Sequence, residues 1–263
     1  MIKLGVNSVL FKHYSFYDAC RAVKACGYDG IEVSAIKGMC EHLDIENYDK
    51  EKFLSILAET GLEILSMELA SVDEERIELA LKVAADLGIP VVNVGSGGES
   101  NNEETLVEAI AHLNRMSAVA EKYGVKLCCK AHVGSAIYNT ETTLRGMAEI
   151  TSPNFGVDMD PSHIWRAGEK PEEALASVIS RMSHIHIRDC KGPGPSPGAP
   201  LDQICGTGDI NLIGYFQAMV DANYDGPVCL EVIGPDLDLA ESCTVASGSY
   251  GYMNACLRQL GAR

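Results

Sequence analysis

The chain has 263 residues, 46% apolar and 22% charged, a composition with ample material for a buried core that excludes a disordered chain. Its formal net charge of -16 sets the long-range field against phosphate backbones, so nucleic acid is excluded as the expected partner, while a local basic pocket for one phosphate group is not. The length matches the roughly 250 residues of one closed α/β barrel, so a single domain over residues 1–263 is expected.

In chain order, Met1–Val9 lacks a basic region followed by a long apolar stretch and a cleavage site, and no window approaches about 18 uninterrupted apolar residues. A cytoplasmic protein with no membrane partner is expected. Lys3–Val6 reads as the first strand, and the turn after it, Asn7-Ser8-Val9-Leu10, has no glycine-rich phosphate fingerprint of an open doubly wound sheet. One unit then recurs: an amphipathic stretch, a glycine suited to the left-handed helix end, and a short β-rich run. It appears at Cys26-Gly27 before Gly30–Val33, Thr60-Gly61 before Leu62–Met67, Leu87-Gly88 before Pro90–Val94, and Tyr123-Gly124 before Val125–Cys129.

Between these strands Ser71-x-x-Glu74 fits a capping box, and Leu106, Ile110, Leu113, Met116 and Ala120 form the stripe one helix buries. The ten cysteines form no Cys-x-x-Cys pair, and Cys128, Cys129 and Cys229 lie in apolar runs, so reduced core thiols are expected. Phe155–Met159, Ser183–Ile187 and Pro227–Ile233 complete eight strands, each spaced from the next by room for a helix, and a (β/α)8 TIM barrel is the expected fold. Lys191–Pro200, rich in proline and glycine, reads as a semi-rigid loop over the mouth, and the last helix, Leu239–Leu260, as a cover for the barrel or a homo-oligomer interface.

A barrel of this kind carries its chemistry at the carboxyl ends of its strands. Those ends here hold Asn7, Glu32, Glu68, Asn93, Lys130 with His132, Asp158 with Asp160 and then His163, His184 with His186, and Glu231. Strand alternation turns His186 and Glu231 inward. Asp160, His186 and Glu231 then suit a divalent metal, Mn, Zn, Mg or Co, because oxygen and nitrogen donors accept all four. Each also has a plain structural role open to it: a cap before Pro161, a hydrogen-bonded core histidine, a partner for an arginine.

Gly156-Val157-Asp158-Met159-Asp160-Pro161-Ser162-His163, His184-Ile185-His186-Ile187-Arg188-Asp189, Gly206-Thr207-Gly208-Asp209 and Tyr224–Glu231 resemble the sugar phosphate isomerase/epimerase family of xylose-isomerase-like TIM barrels. The resemblance spans nearly the whole chain and implies that Asp160, His186 and Glu231 fall on metal-binding positions and His132 and His163 on positions that contact substrate oxygens. The fourth metal position departs from the pattern: where the family has a glutamate, this chain has Lys130. A symmetrical two-glutamate mechanism is thereby lost.

The expected activity is an isomerase or epimerase acting on a small sugar, sugar phosphate or keto-sugar, in which a metal polarises the carbonyl and Glu231 or Lys130 moves the neighbouring proton. Lys130 is expected to have a depressed pKa beside the metal, or to form a Schiff base, with an ion pair to Asp158 or Glu68 as the structural alternative. His132 and His163 would hold hydroxyls. Arg188 is expected to bind a substrate carboxylate or phosphate, or else to pair with Asp189. Glu32 and Glu68 either bind sugar hydroxyls or accept backbone hydrogen bonds. A lyase or dehydratase, using the metal or a Lys130 imine, is the alternative enzyme, and a metal-free sugar-binding barrel the alternative class.

Overall fold

A computed structural model describes residues 2–263. Its strands are β1 (Lys3–Asn7), β2 (Gly30–Ile36), β3 (Cys40–Glu41), β4 (Glu63–Glu68), β5 (Val91–Gly95), β6 (Lys126–Lys130), β7 (Phe155–Asp158), β8 (Met182–Ile187) and β9 (Pro227–Leu230). All but β3 run parallel in the order β1-β9-β8-β7-β6-β5-β4-β2, and pairing of β1 with β2, Gly5 opposite Gly30 and Asn7 opposite Glu32, closes the ring. The expected eight-stranded (β/α)8 barrel is therefore the fold. The two-residue β3 only folds back antiparallel on the end of β2.

Parallel neighbours need a crossover, and helices supply it. They are α1 (Phe16–Ala25), α2 (Lys50–Thr60), α3 (Glu74–Leu87), α4 (Glu103–Tyr123), α5 (Thr140–Glu149), α6 (Pro161–Arg166), α7 (Pro171–Val178), α8 (Leu212–Asp221) and α9 (Leu239–Gln259). The stripe read from sequence in α4 is buried from Leu106 to Ala120. Gly61, Gly88 and Gly124 end α2, α3 and α4 in the left-handed conformation, φ 64°, 72° and 68°, where a side chain would strain the backbone.

The start of α3 differs from expectation. Asp73, not Ser71, is its cap: Asp73 Oδ1 accepts from Arg76 N at 2.8 Å, and Ser71 Oγ merely accepts from Asp73 N. A carboxylate at the cap followed by Glu74 and Glu75 complements the helix dipole better than a hydroxyl two residues earlier. The last helix covers the barrel, burying Val245, Ala246, Met253 and Leu257, while Ala246 O accepts from Tyr28 Oη at 2.8 Å. All ten cysteines are unpaired. Among the described residues no helix is long and apolar enough to cross a membrane.

The barrel wall is tight at Gly30, where a Cβ would fall 2.5 Å from Glu63 O and 2.6 Å from Leu65 Cγ. Backbone cannot give way as a flexible side chain can, so Gly30→Ala is expected to lower stability by roughly 1–3 kcal/mol. The reading is a lower urea midpoint at unchanged slope, and an unchanged midpoint would contradict it.

Candidate active site

Two layers of polar side chains fill the carboxyl end of the barrel. In the lower one Glu32, on β2, is fully buried and accepts four hydrogen bonds: from Asn7 Nδ2 at 2.9 Å, Ser66 Oγ at 2.9 Å, Asn93 Nδ2 at 2.6 Å and His186 Nε2 at 2.5 Å. Asp158, at the end of β7, faces both histidines of β8: His184 Nδ1 lies 3.0 Å from Oδ1 and His186 Nδ1 2.5 Å from Oδ2. Burial alone would strip His186 of its proton, but Asp158 and Glu32 on either side hold its pKa well above the ordinary value. His186 is thus an imidazolium clamped between two carboxylates. Glu32 makes these bonds to side chains, not to loop backbone, which was one of its two expected roles beside binding sugar hydroxyls, and Ser66, on the same face of β4 as Glu68, is a member that sequence reading passed over.

In the upper layer Lys130 Nζ donates to Glu231 Oε1 at 2.7 Å, and each residue is 6% exposed. The expected partners of Lys130, Asp158 and Glu68, are not the ones it bonds. Nor is its pKa depressed: burial pulls it down, but Glu231, then Glu68, Asp158 and Asp160, outweigh burial and raise it above the ordinary lysine range. Surrounded by this negative charge Lys130 is favoured as an ammonium, and a neutral amine for imine chemistry is disfavoured in this arrangement. Glu231 is held well below the carboxylate range against burial, chiefly by Lys130, while burial pushes Glu68 up to about 8.

Arg188, 1% exposed, sits between Asp160 and Glu231 instead of pairing with Asp189. Nε donates to Ser162 Oγ at 2.8 Å, NH1 approaches Glu231 O at 3.3 Å and Oε2 at 3.1 Å, and NH2 approaches His163 Nε2 and Asp160 Oδ2, each at 2.8 Å. Three of these are hydrogen bonds, to Ser162 Oγ, Glu231 O and His163 Nε2, and the approaches to Asp160 Oδ2 and Glu231 Oε2 are ion-pair contacts. At 1% exposure Arg188 is buried against these four side chains and is not presented to solvent. Asp189 accepts instead from the amides of Cys190, Gly206 and Ile210.

Asp160 caps α6, its Oδ1 accepting from Ser162 N at 2.8 Å. This short helix carries His163 inward, its ring centroid 3.9 Å from that of His132. Arg188 reaches Nε2 of His163, and Arg166, three residues along α6 and unremarked in the sequence, reaches Nδ1 at 2.8 Å. A neutral imidazole has one acceptor nitrogen, so only one guanidinium is served at a time. Burial, then Arg188, His132, Lys130 and Arg166, push the His163 pKa well below 6.5. His132 stands at the open rim with Nδ1 2.7 Å from Val133 O; as a neutral ring donating there, it leaves Nε2 free.

A stability slope follows from His163. Unfolded, it takes up a proton near pH 6.5; folded, it does so only well below that, so stability falls as pH drops from about 6.5, by at most about 1.4 kcal/mol per unit. His132 and His42 shift in the same direction. Urea midpoints between pH 7 and 5 should fall less steeply in His163→Gln than in the parent, and equal slopes would remove His163 from the account.

Three groups among the described residues lie close enough to hold a metal ion: Glu32, His184 and Cys229; Asp158, His184 and His186; and Glu32, Glu68 and His186. Asp160, His186 and Glu231, expected together as ligands, are not among them. Both oxygens of Glu231 and the second oxygen of Asp160 face Lys130 or Arg188, and both nitrogens of His186 face carboxylates. That trio does not fit a divalent ion.

The segment 191–200 lies over this end as expected: Trp165 Nε1 donates to Gly192 O at 3.3 Å, Arg166 NH1 to Pro195 O at 2.9 Å, and Gln203 Nε2 to Gly198 O at 3.0 Å.

A family model described as xylose isomerase-like TIM barrel matches residues 20–247. An inosose dehydratase of Clostridium perfringens is 27% identical over 145 residues, covering 49% of this chain and 48% of that protein, so the match spans about half the length of that relative. A putative L-ribulose-5-phosphate 3-epimerase of Escherichia coli is 26% identical over 256 residues, 88% of each chain. The crystal structure of the IOLI protein with a binding zinc atom has a TM-score of 0.81 at 17% identity, covering 98% of this chain and 99% of that one, a likeness of fold.

Proposed function

The chain belongs to the xylose isomerase-like TIM-barrel family, and on that premise we propose that it is an isomerase or epimerase that moves a proton on the carbon beside the carbonyl of a small sugar or keto-sugar. The observation that carries this reading is Lys130, a buried ammonium at the end of β6 with one of its three N–H groups given to Glu231. A remaining N–H polarises the substrate carbonyl. His132 Nε2, neutral and at the rim, takes the proton from the adjacent carbon; the C–H electrons form the enediolate, and the oxygen that gains charge stays against Lys130. Return of the proton from His132 to the neighbouring carbon gives the isomer, and a proton delivered from solvent to the other face gives the epimer. With Arg188 buried against Ser162, His163, Asp160 and Glu231, a substrate without phosphate is favoured.

Glu68 supports a second reading, dehydration. A carboxyl group with its pKa near 8 is largely protonated at neutral pH and is the acid needed to expel a hydroxyl from the enediolate.

Incubation in D2O with a panel of ketopentoses, ketohexoses, their phosphates and keto-cyclitols separates the readings by NMR. Deuterium at the carbon beside the carbonyl, with an isomer or epimer as product, is the expected result. An unsaturated ketone absorbing in the ultraviolet would point to dehydration. Binding without exchange in any compound would leave a sugar-binding barrel and end the enzyme reading.

A further inference from the structure

We propose that two cations of the chain itself, Lys130 and Arg188, take the place of an ion among Asp160 and Glu231, so that the mouth of this barrel holds no divalent metal. A metal needs free lone pairs converging at about 2.0–2.3 Å. Here Asp160 Oδ1 is spent on the α6 cap, and Oδ2, which accepts no hydrogen bond, faces the Arg188 guanidinium at 2.8 Å; Glu231 Oε1 lies 2.7 Å from Lys130 and Oε2 3.1 Å from Arg188. An ion inserted among those oxygens would sit beside an ammonium and a guanidinium, both buried and unable to turn toward water.

The three alternative groupings each use His184 or His186. His186 is already placed between Glu32 and Asp158, and His184 between Ser66 Oγ at 2.9 Å and Asp158 at 3.0 Å. In the third grouping Glu68 Oε2 has no hydrogen-bond partner, but its neighbour there, His186 Nε2, is held 2.5 Å from Glu32. Positive charge is supplied throughout by side chains rather than by an ion. The consequence for the reaction, resting on the reading that this mouth is its centre, is that a lysine N–H does the work of a Lewis acid.

The test is metal content by elemental analysis, together with the thermal midpoint in EDTA and in added ZnCl2, for the parent and for Lys130→Glu. Little or no Zn2+ or Mn2+ in the parent after loading and desalting, with a midpoint indifferent to both additions, is expected. Lys130→Glu removes the ammonium and adds a fourth carboxylate, and is expected to retain about one Zn2+ per chain and to gain thermal stability from it. About one ion retained by the parent would overturn the proposal. So would a Lys130→Glu protein folded by circular dichroism that takes up none; if that variant does not fold, the parent's metal content decides. Metal is read without substrate, so this result and the failure of the proposed reaction are distinguishable.

Discussion

Replacing Lys130 by methionine is expected to slow substrate proton exchange by roughly 100- to 1,000-fold, the usual cost of losing one fixed donor at a developing oxyanion. Methionine keeps much of the apolar stem and loses only the ammonium. The fall should appear in kcat with KM little changed, because the charge that Lys130 meets develops on the way to the enediolate. Glu231 keeps Arg188 at 3.1 Å, so the variant retains a partner for its buried carboxylate and should fold. Lys130→Arg keeps the charge, but its planar fork does not reproduce a compact ammonium at this depth, so partial activity is expected. Unchanged kcat in Lys130→Met on a substrate that exchanges would remove Lys130 from the chemistry.

Arg188→Met is expected to be the most damaging substitution for stability, costing roughly 3–5 kcal/mol, because it deprives two buried carboxylates of the cation they share. Asp160 Oδ2 would lose its 2.8 Å partner and Glu231 would keep only Lys130. In a chain of this size such a loss corresponds to a fall in Tm of roughly 10 °C. Arg188→Lys should recover part of it, since one ammonium cannot span Ser162, His163, Asp160 and Glu231 at once. A loss below about 1 kcal/mol in Arg188→Met, the scale of an exposed ion pair, would mean that water reaches these carboxylates.

The barrel was legible because its signals are local. A glycine ending a helix, an apolar stripe at helical spacing and alternation along a strand depend on residues a few places apart, and Gly61, Gly88, Gly124 and the α4 stripe stand as read. The polar strand ends were legible for the same reason: Lys130, His186 and Glu231 are all buried at the mouth. Partner choice was not. Glu231 lies 101 positions from Lys130 in the chain, and only ring closure decides which carboxylate meets which cation. The depressed Lys130 pKa was expected beside a metal; without an ion the direction depends on four carboxylates gathered from different strands, which no spacing along the chain displays. Asp160 shows the intermediate case: its cap on α6 was readable beside Pro161, its ion-pair contact with Arg188 was not.

The six residues of α6 join two things that usually move independently. One end of the helix is pinned by Asp160; the other holds the covering loop through Trp165 and Arg166; His163 lies between. A molecule that lifts the loop therefore pulls Arg166 from Pro195 O and disturbs the guanidinium that competes with Arg188 for the ring of His163. Loop position and proton inventory are geared together through α6: a shift of the loop also changes which nitrogen of His163 is free to accept.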